Sequence, residues 1–176
     1  MDADARTILA AKRDMRVITA DFARMTEQSA DLRSILGGVL EQSRDRVAEA
    51  AEPWPCDGLS VVTKRQPTAE EWTALRFAWR ICAHVKSNAV IFTTADRTLA
   101  IGAGQMSRVD AVNVARMTAT RMSPALLQGS VAASDAFIPF RDGLDAIQQA
   151  GATAIVQPGG SLRDDEVIAA ANEHGL

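Results

Sequence analysis

The sequence predicts an α/β fold, a layered sheet with helices on both faces. Short apolar, β-branched runs alternate with helical stretches from residue 89 onward. Those runs are apolar throughout rather than every second residue, as in strands buried on both faces. With 176 residues, 47% of them hydrophobic and 23% charged, the chain can fill one packed core.

Residues 2–12 read as a short helix and 15–19 as a strand. Residues 21–51 form a polar stretch interrupted by an apolar segment, 35–40, around Gly37-Gly38. Gly58 leads into a predicted strand over 59–62. Pro67 then marks the turn before a helix that opens with Thr68-Ala69-Glu70-Glu71, the signature of a capping box. Trp72, Leu75, Trp79 and Cys82 recur at three- and four-residue steps, which makes one helical stripe and a core face. Strands follow over 89–93 and 98–101, separated by an Ala95-Asp96 turn, and a helix runs over 107–120. Next come a strand over 129–133, a helix over 142–150 stopped by Gly151, and a strand over 153–156. The tight loop Pro158-Gly159-Gly160-Ser161 delivers a last helix, 163–174. Residues 1–60 carry few structural signals and are expected to form an N-terminal part distinct from the lobe over 61–176.

The balance of 19 Lys plus Arg against 22 Asp plus Glu argues against a broad nucleic-acid surface, although a phosphate pocket needs only one or two cations. Apolar runs such as 89–92 and 153–156 are far shorter than the roughly 20 residues of a membrane span. No charged-then-apolar leader opens the chain, so a cytoplasmic protein with no membrane contact is expected. Cys56 and Cys82 lack CxxC spacing, and His84 and His174 lie far apart, so no zinc motif is legible. Both thiols are expected to be inert.

Four segments could carry chemistry. In Ile101-Gly102-Ala103-Gly104-Gln105-Met106-Ser107-Arg108, two glycines permit close backbone approach at a helix start, and the Arg108 fork suits an anion. A turn with Ser107 as an ordinary helix cap is the competing reading. In Ser134-Asp135-Ala136-Phe137-Ile138-Pro139-Phe140-Arg141-Asp142, a flat heterocycle could lie on Phe137 and Phe140 while Asp142 accepts from an N-C-N edge. Equally, both phenylalanines could be core and Asp142 a cap. In the loop 157–163, capping by Ser161 and Asp164 is the default. Asn88, in Lys86-Ser87-Asn88, can donate and accept at once and so orient an amine, or it can satisfy nearby backbone.

Thr63-Lys64-Arg65-Gln66-Pro67, Val85-Lys86-Ser87-Asn88-Ala89, the run from Ile101 to Arg108, the run from Ser134 to Asp142, and Gln157-Pro158-Gly159-Gly160-Ser161 together resemble one family. It is the AICAR transformylase domain of the bifunctional purine-biosynthesis enzyme whose other domain is IMP cyclohydrolase. The likeness extends from near Asp2 to Leu176 and is denser after residue 60. It implies a cytidine deaminase-like layered sheet without the zinc, of which this chain carries an incomplete part. It also implies transfer of a formyl group from 10-formyltetrahydrofolate to AICAR, giving FAICAR, on the way to IMP. By the same resemblance, Asn88 contacts the reacting region of the nucleotide, Arg108 binds AICAR and Val109 flanks the folate. Phe137, Pro139, Phe140 and Asp142 line the pterin pocket with Ser161 nearby, and Asp135 lies where some relatives hold a monovalent cation.

Relatives remove the proton of the attacking amine with a Lys-His pair, and this chain has no Lys-His dipeptide. His84 and His174 stand in the wrong context for that work. The family also continues past the position of Leu176 and begins before that of Met1. The chain is therefore expected to be part of a formyltransferase site completed by a second subunit of a homodimer or by a complementary chain. The alternative is a non-catalytic module that binds nucleotide, folate or a partner.

Overall fold

The computed structural model describes residues 3–12, 14–21, 30–44 and 46–176. Two compact units divide the chain, Met1–Asp45 and Arg46–Leu176, so residues 46–60 pack with the lobe expected to begin at 61.

In the first unit, helix α1 (Ala3–Ala10) buries no side chain. Strands β1 (Ala30–Ile35) and β2 (Gly38–Ser43) form an antiparallel hairpin whose register runs from Ala30 opposite Ser43 to Ile35 opposite Gly38. Leu36 and Gly37 both take positive φ, 42° and 84°, the backbone that a two-residue hairpin turn demands. The apolar segment 35–40 is thus the tip of an exposed hairpin. The strand expected over 15–19 does not form. Those residues are exposed and find no ladder partner among the described residues, and β-branched composition without a partner does not make a strand.

The second unit is built on one four-stranded sheet. Strands β3 (Val90–Thr93) and β4 (Thr98–Gly102) are an antiparallel pair. The Thr94 N–H donates to the Arg97 carbonyl at 3.0 Å to close their turn. Strand β5 (Ser130–Ser134) lies antiparallel on the other side of β3, and β6 (Ala152–Val156) runs parallel to β5. That parallel pair needs a crossover, which helix α4 (Arg141–Ala150) supplies. Helices α2 (Ala69–Cys82), α3 (Arg108–Met122) and α5 (Asp164–His174) complete the layers.

Alternation along the strands divides the core into two faces, as the layered-sheet expectation requires. Val90, Phe92, Ala132 and Ala152 pack against Ala111, Val112 and Ala115 of α3, Leu144 and Ile147 of α4, and Val167 and Ala170 of α5. Ile91, Val131, Ala133 and Ala154 point the other way, onto Ala74, Leu75, Ala78 and Cys82 of α2 and onto Trp54. The α2 stripe is centred on these four small or branched residues, while Trp72 and Trp79 close its edges, half-buried. Trp54 stands edge-on to Trp72 with ring centroids 6.4 Å apart, and its indole N–H donates to the Glu49 carbonyl at 2.7 Å. Residues 59–62, expected as a strand, join no ladder among the described residues. They instead form one wall of an apolar groove of about 300 Å³ beside β6, with Trp54, Ile155, Val167 and Leu176 among its lining.

The capping box is present as expected. Thr68 Oγ1 accepts from the Glu71 N–H at 3.2 Å, and Glu71 Oε2 accepts from the Thr68 N–H at 2.8 Å. Glu71 does more than cap. Its two oxygens take a bidentate pair from Arg65 at 2.9 and 3.0 Å, and Oε1 also accepts from the Thr153 hydroxyl at 2.7 Å. Burial raises the Glu71 pKa, but the Arg65 hydrogen bonds, the Thr68 N–H, the Thr153 hydroxyl and the Arg65 charge outweigh it, and the pKa falls from 4.5 to about 2. The folded carboxyl thus gives up its proton more readily than the unfolded one. Its contribution is complete above pH 4.5 and is lost as the pH falls toward about 2. Glu71→Gln is expected to destabilise the protein by on the order of 2 kcal/mol at pH 7, allowing for solvent screening. Denaturant unfolding should show that difference shrink between pH 4.5 and 2.

Candidate functional site

The strand register places four loops side by side. Val90 opens β3 opposite Gly102, the last residue of β4, and Ser134, the last of β5, while Ala133 pairs with Val156 at the end of β6. Residues 84–89 therefore enter the sheet where 103–107, 135–140 and 157–163 leave it. Helices α3, α4 and α5 each start from one of the leaving loops, so their free N–H groups and positive dipole ends gather at one end of the sheet. Open α/β sheets bind ligands at such an end.

Two of these loops are tied by backbone. The Gly104 N–H donates to the Lys86 carbonyl at 2.8 Å, the Gln105 N–H to the Asn88 carbonyl at 3.3 Å, and the Asn88 N–H to the Gln105 carbonyl at 3.4 Å. Asn88, half-buried, also donates through Nδ2 to the Gln105 carbonyl at 3.0 Å. The backbone-satisfying role is therefore real, and it leaves the amide oxygen to accept.

Ser107 caps α3, as its competing reading held. Its hydroxyl accepts from the Asp110 N–H at 3.1 Å and donates to Asp110 Oδ2 at 2.8 Å. Arg108 follows, with Val109 half-buried behind it. The Arg108 side chain is 8% exposed and its Nη1 lies 3.2 Å from Asp135 Oδ1, yet Nε and Nη1 make no hydrogen bond. Asp135 also accepts from the Ala89 N–H at 2.8 Å and from the Ser87 hydroxyl. Ser87 carried no functional role in the sequence reading, and only its place beside Asn88 hinted at one.

The loop after β5 keeps its phenylalanines out of the core. Ile138 is fully buried, with its N–H held by Gln157 Oε1, while Phe137 and Phe140 are 43% and 49% exposed and Pro139 is half-buried. One buried isoleucine anchors the loop and turns both rings outward. The Arg163 guanidinium lies 5.1 Å from the Phe140 ring centroid. Asp142 is exposed in the first turn of α4 and uses one oxygen on the Gly143 N–H at 2.7 Å.

Gly143 brings Arg108 and the loop after β5 together. A Cβ there would lie 3.0 Å from Ile138 Cγ2 and 3.7 Å from Arg108 Cβ, so the starts of α3 and α4 approach closely because position 143 has no side chain. Arg108 and Asp142 thus belong to neighbouring helix starts.

Ser161 does the capping work expected of it. Its hydroxyl accepts from the Arg163 N–H at 3.1 Å, and the Gly160 and Ser161 N–H groups donate to the Asp164 carboxylate at 2.7 and 3.1 Å.

Residues 63–67 lie elsewhere, beside the start of β6. Arg65 donates to the Thr153 carbonyl as well as to Glu71, and the Lys64 N–H donates to Asn172 Oδ1 at 2.7 Å. This stretch borders the apolar groove, which Ile138 and residues 157–159 of two site loops also line but which Asn88, Arg108, Phe137, Phe140 and Asp142 do not. We place the site in the open loop cluster because the charged and aromatic groups are there.

The two histidines stand at the first residue of the 84–89 loop and at the last residue of α5. His84 is exposed just beyond α2, and His174 Nε2 lies 2.6 Å from Asp145 Oδ1. Asp145 also pairs with Arg141 at 3.0 Å, and the His174 hydrogen bond is the foremost cause of its lowered pKa. Among the described residues no three His, Cys, Asp or Glu side chains gather as a metal-binding group, and no helix is long and apolar enough to cross a membrane.

Comparison with known proteins adds to this geometry. Residues 1–118 match the model of the AICARFT/IMPCHase bienzyme family. The chain is 49% identical over 178 residues to the bifunctional purine biosynthesis protein PurH of Myxococcus xanthus, which covers 98% of this chain and 33% of that relative. It is 48% identical to the PurH of Roseobacter denitrificans and 49% identical to that of Rhodospirillum rubrum. Each alignment covers 99% of this chain and 34% of the relative. The chain thus spans about a third of the length of the curated relatives it matches.

Proposed function

Because the chain belongs to the AICARFT/IMPCHase bienzyme family, we propose that it forms part of a formyltransferase site in purine biosynthesis, one that seats AICAR and 10-formyltetrahydrofolate side by side. The observation that carries this reading is the gathering of four loops at one end of the sheet, with Arg108 beside the Asp142-Gly143 helix start. The Arg108 fork takes an anionic or carboxamide edge of AICAR, and Asn88 Oδ1 accepts from its amine and orients it. The pterin lies against Phe137, Pro139 and Phe140, with Val109 and Ser161 at its margins, and the free oxygen of Asp142 takes its N-C-N edge.

In the reaction the amine nitrogen bonds to the formyl carbon, the bond from that carbon to N10 of the folate breaks, the amine loses a proton and N10 gains one. An aromatic amine next to a carboxamide is a weak nucleophile, so a base must take that proton. His84 is exposed at the outer start of the 84–89 loop, His174 is paired with Asp145, and there is no Lys-His dipeptide. The base then comes from a second subunit or a complementary chain. This chain by itself binds both ligands and does not turn them over.

Calorimetric titration with a non-hydrolysable 10-formylfolate analogue tests the assignment to formyl transfer. Saturable binding is expected, weakened about tenfold by Phe140→Ala with little change in melting temperature, since the ring is half exposed. Closure of FAICAR to IMP by the chain, with no affinity for the folate analogue, would assign it to the cyclohydrolase activity instead.

A further inference from the structure

We propose that Asp135 is a positioning residue for Arg108, and that the positive charge it balances is this guanidinium rather than a monovalent cation. The inference rests on the reading of Arg108 as the AICAR-binding cation.

Both carboxylate oxygens are already engaged. Oδ1 accepts from the Ala89 N–H at 2.8 Å and faces Arg108 Nη1 at 3.2 Å, while Oδ2 accepts from the Ser87 hydroxyl. The Asp135 and Arg108 side chains are 15% and 8% exposed, so each is poorly solvated and needs the other's charge. A bound monovalent cation would have to share one carboxylate with a guanidinium of its own sign. This donor set therefore does not fit a cation.

The carboxylate is fixed from behind by the sheet. Asp135 follows the last residue of β5, and its N–H reaches the Ala89 carbonyl at 3.4 Å, so the β3–β5 register sets where it stands. Arg108 comes from a different element, the start of α3. The pair is a close ion pair without the two parallel hydrogen bonds of a fork-on-fork contact, and Arg108 Nε and Nη1 are buried with no hydrogen-bond partner. Asp135 thus holds the guanidinium by charge, without taking up both edges of its fork.

Ser87 joins Asn88 to the same device. Its hydroxyl ties the 84–89 loop to the carboxylate that holds Arg108, so the amine-orienting amide and the anion-binding fork share one anchor.

The test is side-chain ¹⁵N spectroscopy of the arginines, combined with AICAR titrations in potassium and in tetramethylammonium salts. Rotation of the Arg108 guanidinium is expected to be slow in the unsubstituted chain and fast in Asp135→Asn. Affinity for AICAR should fall about tenfold in that variant, because a released side chain must be ordered again on binding. Equal rotation in both proteins would overturn the proposal. So would AICAR affinity more than tenfold tighter in potassium than in tetramethylammonium, with the difference lost in Asp135→Asn. If Asp135→Asn is too unstable to compare, Ser87→Ala removes one donor to the same carboxylate from an exposed position. Faster rotation there supports the proposal and unchanged rotation refutes it. Absence of AICAR binding by the unsubstituted chain would count against the formyltransferase reading alone, because the rotation measurement needs no ligand.

Discussion

Gly102→Ala is expected to destabilise the larger unit by about 3 kcal/mol or more, enough to lower its melting temperature by about 10 °C. A Cβ at residue 102 would stand 1.7 Å from the Ala111 carbonyl oxygen, 2.5 Å from its carbon and 2.9 Å from its Cα. All three are backbone atoms of α3, so no rotamer change relieves the clash and the helix itself must move off β4. Gly104→Ala is the control. Its φ of +65° makes the substitution strained, but the added methyl meets only the flexible Lys86 side chain at 3.6 Å, and a cost of about 1 kcal/mol is expected. Thermal unfolding of the two variants reads the difference. Equal melting temperatures would mean that α3 does not lie as close to β4 as described. The contact matters beyond stability, since α3 begins at Arg108 and Gly102 sets how that helix sits on the sheet.

The second large effect is on binding. Arg108→Met is expected to weaken AICAR binding about a hundredfold, because hydrogen bonds to a charged, desolvated fork contribute about 1.5–3 kcal/mol each. Arg108→Lys keeps the charge but not the planar donor pair, and a loss of about tenfold is expected. The single change to methionine also strips Asp135 of its counter-charge, which costs stability by about 3 kcal/mol when the carboxylate is as enclosed as this one. Arg108→Met combined with Asp135→Asn removes both charges and should recover most of that stability without recovering affinity. Stability and binding are thereby separated within one pair of residues.

Helix starts and stops were legible because their chemistry is local. The box of Thr68 and Glu71, the Ser107 cap and the left-handed Gly151 at φ 113° each lie within a few residues of the boundary they mark. The buried strands were legible from continuous apolar runs. Residues 15–19 and 59–62 have strand composition too, but a strand needs a partner, and no short window of sequence contains one. The hairpin over 30–43 is not legible in the sequence because its turn is Leu36-Gly37 rather than an Asn-Gly pair and its apolar residues face outward.

At the candidate site, the residue types pointed to loops that the strand register does bring side by side, but the contacts were beyond reach. The spacing of Phe137, Ile138 and Phe140 is compatible with burying either the rings or the isoleucine, and only packing shows that Ile138 goes inward. The partner of Arg108 was equally hidden. Asp135 meets it because β5 ends beside the start of β3, which is a property of sheet register rather than of either segment alone. Likewise, residues 63–67 share a family motif with the loop residues but serve as a clamp on Glu71 and Thr153, away from the loop cluster.

The adjacency of an anion site and a ring site at one end of the sheet is tested most directly by calorimetric titration of AICAR into the unsubstituted chain and into the Arg108→Met, Asp135→Asn double variant. Saturable binding by the first, weakened about a hundredfold in a second protein that unfolds at nearly the same temperature, is the predicted result. AICAR binding of equal strength in both proteins, or none in either, would contradict it.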